Sequence, residues 1–156
     1  TRLLLICAQF LHTQSVNKQM IRFTTLILAM MFFPLLLISG ETPSPEGTKT
    51  YFIDLKDGDS VKSPLLIRFG LTEQMGIAPA LADWPDTGHF HLIIDSKTPK
   101  PNRPISNRHL HLHKGQTEAI VELKQGQHTL QILLGDYTHM PHDPPVMSDR
   151  ITVRVE

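Results

Sequence analysis

Short segments of alternating apolar and polar residues, each ended by a turn, fill the chain from residue 50 onward. Alternation of this kind places successive side chains on opposite faces of a strand. The segments are 51–55, 65–69, 90–94, 119–123, 128–134 and 151–155. The nearest helical candidate, 71–83, is interrupted by Gly76 and Pro79. We therefore predict an all-β fold, an immunoglobulin-like antiparallel β-sandwich over residues 50–156.

Two further features refine this fold. A turn at residues 124–127 separates segments 119–123 and 128–134, which predicts a β-hairpin between them. Two proline-containing stretches, 75–88 and 96–108, break the rhythm of strands and turns. Long loops in a small sandwich are frequent sites of function.

Residues 20–40 have the order of a secretory signal peptide. An arginine follows Met20, an uncharged run of 16 residues spans 23–38, and small residues precede a polar stretch. This run is short for a bilayer span of about 20 residues, so we expect cleavage, with an uncleaved membrane anchor as the alternative. Cleavage would leave a periplasmic or secreted protein with no membrane span in the mature form. We expect residues 1–19 to reflect a misassigned start and residues 41–49, ETPSPEGTK, to be a linker.

Charge and cysteine content exclude several classes of protein. Residues 41–156 hold 12 basic and 15 acidic side chains, a formal charge of −3, so there is no excess of positive charge for nucleic acid. The single cysteine, Cys7, lies outside the predicted mature part. The domain therefore has no disulfide and no thiolate metal ligand.

Histidine pairs with a spacing of two are the most informative side chains. His89 and His91 lie in a predicted strand, and His109 and His111 form a second pair of the same kind. Residues i and i+2 of a strand point to the same face, about 7 Å apart. If the two strands pair, four or more imidazoles converge. His139 and His142 lie in a loop that we expect to fold over the same end of the sandwich.

Imidazole is the usual neutral nitrogen ligand of copper and zinc, so the pattern predicts a transition-metal site. The candidate ligands are His89, His91, His109, His111, His139, His142 and Met140, followed by His113 and Asp143. The loop methionine places copper before zinc, because thioethers bind Cu(I). The alternative is a hydrogen-bonded network or surface patch of neutral histidines.

Other side chains near the histidines have simpler expected roles. Asp86, Asp95 and Asp136 are carboxylates that could bind a metal or orient imidazoles. His128 follows a turn, and we interpret it as structural. Trp84 is expected to anchor a loop over the core, with stacking on a ligand as the alternative.

Several motifs together resemble a known bacterial family. The motifs are TGHFHLIID at 87–95, HLH at 109–111 followed by GQTE at 115–118, and GQHTLQILLGD at 126–136 followed by His139 and PHDPPV at 141–146. They resemble the secreted bacterial domain of unknown function 4399, over about residues 61–155. Phe90 and His113 stand where members often carry histidine and glycine. The resemblance implies an exported domain and no established activity.

These observations favour metal handling or storage over catalysis, and the question of enzymatic activity stays open. The main rival is a metal-free module that binds or adheres to an envelope protein. A third reading is a metalloenzyme like copper–zinc superoxide dismutase, which residues 88–91 resemble by an HxH strand alone.

Overall fold

Residues 42–156 are described by a computed structural model, and this part of the chain consists of strands and loops without a helix. The strands are β1 (Thr50–Phe52), β2 (Ser60–Val61), β3 (Leu65–Leu71), β4 (Gly76–Ile77), β5 (Thr87–Ile94), β6 (Leu110–His111), β7 (Glu118–Val121), β8 (Gly126–Gly135) and β9 (Ile151–Val155). The predicted all-β class is confirmed. The immunoglobulin-like arrangement is compatible with this structure and stays a prediction in its details.

The strands form two sheets. The smaller sheet has the order β1-β3-β7, and the larger has the order β2-β9-β8-β5-β4, with β6 paired to β5. Two short pairings, β2 with β9 and β4 with β5, are parallel, and the others are antiparallel.

The predicted hairpin between residues 119–123 and 128–134 is wrong. Strand β7 pairs with β3, and β8 pairs with β5 and β9, so the two strands belong to different sheets. Residues 122–125 carry the chain across the edge of the sandwich. Val121 is buried in the core while Ile120, one residue earlier, is 71% exposed, as expected for a strand with one face on the core.

The two sheets pack face to face around an apolar core. Phe69 of β3 and Phe90 of β5 meet across the interface, with ring centroids 5.4 Å apart. The same core contains Ile67, Leu92, Leu130, Ile132, Leu134 and Val153. Full burial of each such side chain stabilises the fold by about 1.5–3 kcal/mol.

Strand β5 is buried on both faces. Phe90 and Leu92 point into the core, and the alternate residues His89, His91 and Ile93 point to the opposite side. We call this opposite side of β5 the histidine face. On it, Ile93 packs with Leu133 of β8 and Ile105 of the long loop before β6. The loop therefore covers a face that would otherwise contact solvent.

The first described residues are bonded to the domain. Asp143 N–H donates to the Thr42 carbonyl at 3.0 Å, and Ser44 N–H donates to the Asp143 carbonyl at 3.0 Å. We call residues 42–44 the N-terminal strap. The described part of the predicted linker thus contacts the domain, whereas the predicted signal segment lies outside the described residues. Within 42–156, no helix is long and apolar enough to cross a membrane.

Candidate metal centre

Four imidazole rings gather on the histidine face. The ring centroid of His89 lies 4.6 Å from that of His91, 4.8 Å from that of His111 and 4.9 Å from that of His139. The centroids of His111 and His139 are 4.6 Å apart. The predicted convergence of three separate sequence segments is therefore found for these four histidines.

Strand pairing brings the first three rings together. His89 and His91 share a face of β5, and β6 pairs antiparallel with β5 so that His111 stands opposite His91. The rings of His91 and His111 are stacked, with planes 4° apart. The register of one short strand pair thus fixes three of the four positions.

A tight turn delivers the fourth ring. His139 has a backbone φ of +69°, a left-handed conformation that is uncommon outside glycine. Hydrogen bonds hold its peptide groups on both sides, from His139 N–H to the Asp136 carbonyl at 2.9 Å and from Ile105 N–H to the His139 carbonyl at 2.8 Å. Backbone conformations of this kind persist where the surroundings determine them, and they concentrate at functional sites.

Three of the rings are close enough together that they could hold a metal ion. One nitrogen from each of His89, His111 and His139 lies within 4.8 Å of the others. Metal–nitrogen bonds are about 2.0–2.1 Å long, so modest ring rotations would bring all three nitrogens to bonding distance. We call these residues the histidine triad.

Buried ring nitrogens in this region have no hydrogen-bond partner among residues 42–156. They are both nitrogens of His89, His91 and His142, and Nε2 of His111. A buried polar group without a partner costs about 1–3 kcal/mol. A bound cation would satisfy several of them at once, because it replaces the missing hydrogen bonds with coordinate bonds.

Burial also sets the protonation state of the rings. It lowers the pKa of His89 to about 4, with further lowering by the neighbouring His111 and His139. Burial and the adjacent His89 lower the pKa of His91 to about 2. Burial also lowers the pKa of His111. These rings are therefore neutral at pH 7, which is the form that binds metal ions.

The same part of the chain decides the family. The model of the family described as Domain of unknown function (DUF4399) matches residues 67–156, which include all four clustered histidines. The chain belongs to this family. No curated protein and no solved structure matches the chain.

Two glycines of the DUF4399 domain make room for histidines. A Cβ on Gly135 would stand 2.8 Å from Cε1 of His91 and 3.0 Å from Cδ1 of Ile105. A Cβ on Gly88 would stand 2.7 Å from the carbonyl oxygen of Gly135 and 2.9 Å from Nε2 of His142. The sequence analysis did not predict a role for either glycine, although Gly88 directly precedes His89 and Gly135 directly precedes Asp136.

His142 lies on the other side of β5 from the triad. Its Nε2 faces Gly88, which points away from the histidine face because it neighbours His89 in the strand. It is fully buried, and burial lowers its pKa. The loop that carries His139 thus turns His142 toward the core.

The remaining predicted ligands lie at the edge of the cluster or outside it. His113 is exposed, with its ring centroid 5.4 Å from that of His111. His109 precedes β6 and is half-buried, and its described contact is a backbone bond to Ser106. Met140 and Asp143 have backbone bonds to Asp136 and to the N-terminal strap respectively.

His128 has the structural role that the sequence predicted. Its Nδ1 lies 2.6 Å from Oδ2 of Asp95, and its Nε2 lies 2.7 Å from the carbonyl oxygen of Lys124. The expected role of Trp84 is wrong, because its side chain is 59% exposed and does not cover the core.

Proposed function

We propose that the DUF4399 domain binds one transition-metal ion through His89, His111 and His139. The observation that carries this proposal is the approach of three ring nitrogens to within 4.8 Å of one another. The three residues come from a strand, a second strand and a loop. Such convergence on a face with buried, unpartnered nitrogens supports a ligand-binding site over separate structural roles.

An all-imidazole triad suits copper and zinc, and we place copper first. Divalent copper binds nitrogen ligands more tightly than divalent zinc in the usual order of affinities. His91 is the candidate for a fourth ligand, since its ring centroid lies 4.6 Å from that of His89 and 4.7 Å from that of His111. Its ring centroid lies 5.9 Å from that of His139, so His91 is farther from this member of the triad than from the other two.

We propose metal handling or storage as the role of this site. Asp136 is buried beside the cluster, and its carboxylate accepts hydrogen bonds from Thr42, Thr138 and Met140. A carboxylate engaged in this way is unsuited to accept a proton from a substrate. The predicted signal peptide supports a periplasmic or secreted location, where such a protein would meet metal ions from outside the cell.

A metal-free binding module is the second candidate, and one observation favours it. Leu81 and Trp84 are 79% and 59% exposed in a loop whose Leu81 N–H donates to the carbonyl oxygen of Tyr137. Two exposed large apolar side chains three residues apart in one loop are compatible with a surface that binds a partner. An envelope protein is the partner that we would expect for an exported domain.

Calorimetric titration of the metal-free chain with Cu(II), Cu(I) and Zn(II) separates the two candidates. We expect saturable binding of one ion per chain, with an affinity that is strongly weakened in His139→Ala and retained in His109→Ala. Absence of heat and of a thermal shift with all three ions would refute the metal site. The binding module would then be tested by replacing Trp84.

A further inference from the structure

Asp136 is a buried carboxylate in the loop that carries His139, and both of its oxygens accept hydrogen bonds. Its side chain is 2% exposed. Oδ1 accepts from Thr138 N–H and Oγ1, each at 2.8 Å, and from Met140 N–H at 2.9 Å. These bonds enclose His139, which lies between the two residues that donate them.

The second oxygen of Asp136 faces a different segment. Oδ2 accepts a hydrogen bond of 2.7 Å from the hydroxyl of Thr42, in the N-terminal strap. The strap is also bonded to Asp143 on the far side of the same loop. One carboxylate therefore joins the His139 turn to a segment 94 residues earlier in the chain.

We propose that Asp136 is a positioning residue for the histidine triad, clamped by Thr42, so that the N-terminal strap forms part of the metal site. This inference rests on the proposed function. Asp136 does not touch the ion in this arrangement. It holds His139 in the left-handed backbone conformation that aims its ring at His89 and His111.

The charge of Asp136 fits the same role. Burial would raise the pKa of this carboxyl group, but the hydrogen bonds from Thr42, Thr138 and Met140 outweigh burial and lower it. Asp136 is therefore ionised at neutral pH. A fixed negative charge beside three neutral ligands offsets part of the charge of a bound cation.

The test compares three variants of the full chain. Thr42→Val removes the hydroxyl with little change of shape, and Thr42→Ser retains it. Thr48→Val is the matched control, because Thr48 is a buried threonine of the same region whose hydroxyl donates to the Pro45 carbonyl and not to Asp136. The probes are Zn(II) and Cu(II) titration, and amide hydrogen exchange at Met140 in the metal-free chain.

We expect Thr42→Val to weaken the affinity about fivefold, the equivalent of one hydrogen bond, and to speed exchange of the Met140 amide. Thr42→Ser should restore both, and Thr48→Val should change neither. The inference is overturned if Thr48→Val weakens the affinity as much as Thr42→Val, or if Thr42→Val leaves the Met140 amide unchanged.

Failure of the proposed function gives a different result. If the wild-type chain binds none of Zn(II), Cu(II) and Cu(I), the metal site is refuted and the exchange measurement alone decides whether Thr42 positions the turn. Faster exchange at Met140 in Thr42→Val alone would support the clamp in that case. Unchanged exchange would refute the clamp as well.

Discussion

The imidazole rings of His91 and His111 lie parallel, with their centroids 4.7 Å apart and 4° between their planes. This stack follows from the register of β5 and β6, which places the two residues directly opposite each other. Two neutral rings tolerate this distance, whereas two protonated rings on a buried face would repel strongly. The stack therefore links the fold of this face to the neutral form of its histidines.

The stability of the metal-free chain should consequently depend on pH. The pKa values of His89 and His91 are lowered to about 4 and about 2, below the value near 6.5 that we expect in the unfolded chain. Between these values the unfolded state binds more protons, so the free energy of unfolding falls as pH drops below about 6.5, by up to about 1.4 kcal/mol per pH unit for each group.

Urea unfolding at pH 7.5, 6.0 and 5.0 in the presence of a chelator would measure this effect. His91→Leu removes one of the two groups, so its free energy of unfolding should fall less steeply between pH 7.5 and 5.0 than that of the wild type. Equal slopes for the variant and the wild type would show that protonation of His91 does not oppose folding.

Removal of a triad ligand should affect metal affinity far more than removal of a nearby histidine. Loss of residues that only support ligands typically weakens metal binding 10–100-fold. We therefore expect His111→Ala and His139→Ala to weaken it by about 100-fold or more. His109→Ala, which removes a half-buried ring outside the triad, should stay within about threefold. A similar loss in all three variants would place the ligands elsewhere.

His128 should respond to pH in the opposite sense from the cluster. Both of its ring nitrogens face oxygen acceptors, an arrangement that favours the positively charged imidazolium, in which both nitrogens donate. The hydrogen bond to Asp95 raises the pKa of His128, and the Lys124 carbonyl adds to this effect. The stabilisation is therefore present below about pH 6.5 and is lost as pH rises through the raised pKa.

A double-mutant cycle of His128→Gln and Asp95→Asn would measure this pair. The side chain of Asp95 is 47% exposed, so solvent screens the interaction and we expect a coupling below about 1 kcal/mol at pH 5.5. The coupling should fall toward zero at pH 9. An equal coupling at both values would mean that a neutral ring makes the same bonds.

Gly135 should not tolerate a side chain. The added methyl group of Gly135→Ala would stand 2.8 Å from the His91 ring and 3.0 Å from Ile105, so the ring or the loop must move. Overpacking of this kind costs about 1–3 kcal/mol. Gly76→Ala is the control, since its Cβ would meet only a methyl of Thr87 at 3.4 Å. Thermal unfolding of both variants would settle the point, and equal melting temperatures would contradict it.

Alternating residues were sufficient to predict the longer strands, because one face of each packs on the core, but they did not predict the two-residue strands β2 and β4. β9 occupies the predicted residues 151–155, and the predicted segments 65–69 and 90–94 fall within β3 and β5. The alternation of residues does not show which strands pair with each other. The turn before β8 is compatible with a hairpin, but β7 pairs with β3 in the smaller sheet, while β8 pairs with β5 and β9 in the larger one.

The positions of the strand histidines were predictable from the sequence, and the directions of the loop histidines were not. The i, i+2 spacing of His89 and His91 placed both on one face, as β5 shows. The directions of His139 and His142 depend on the turn that Asp136 organises, which sends one ring to each side of β5. No spacing rule contains that information, because it lies in hydrogen bonds to residues distant in sequence.

The position of β9 has a consequence for the biosynthesis of this protein. Ile151–Val155 lies between β2 and β8, inside the larger sheet and not at its edge. The sheet that carries the histidine face cannot close on the ribosome until this strand has emerged from the exit tunnel. Before that point the histidine-bearing strands β5 and β6 can pair with each other and with β8, but only in a sheet that still lacks β9.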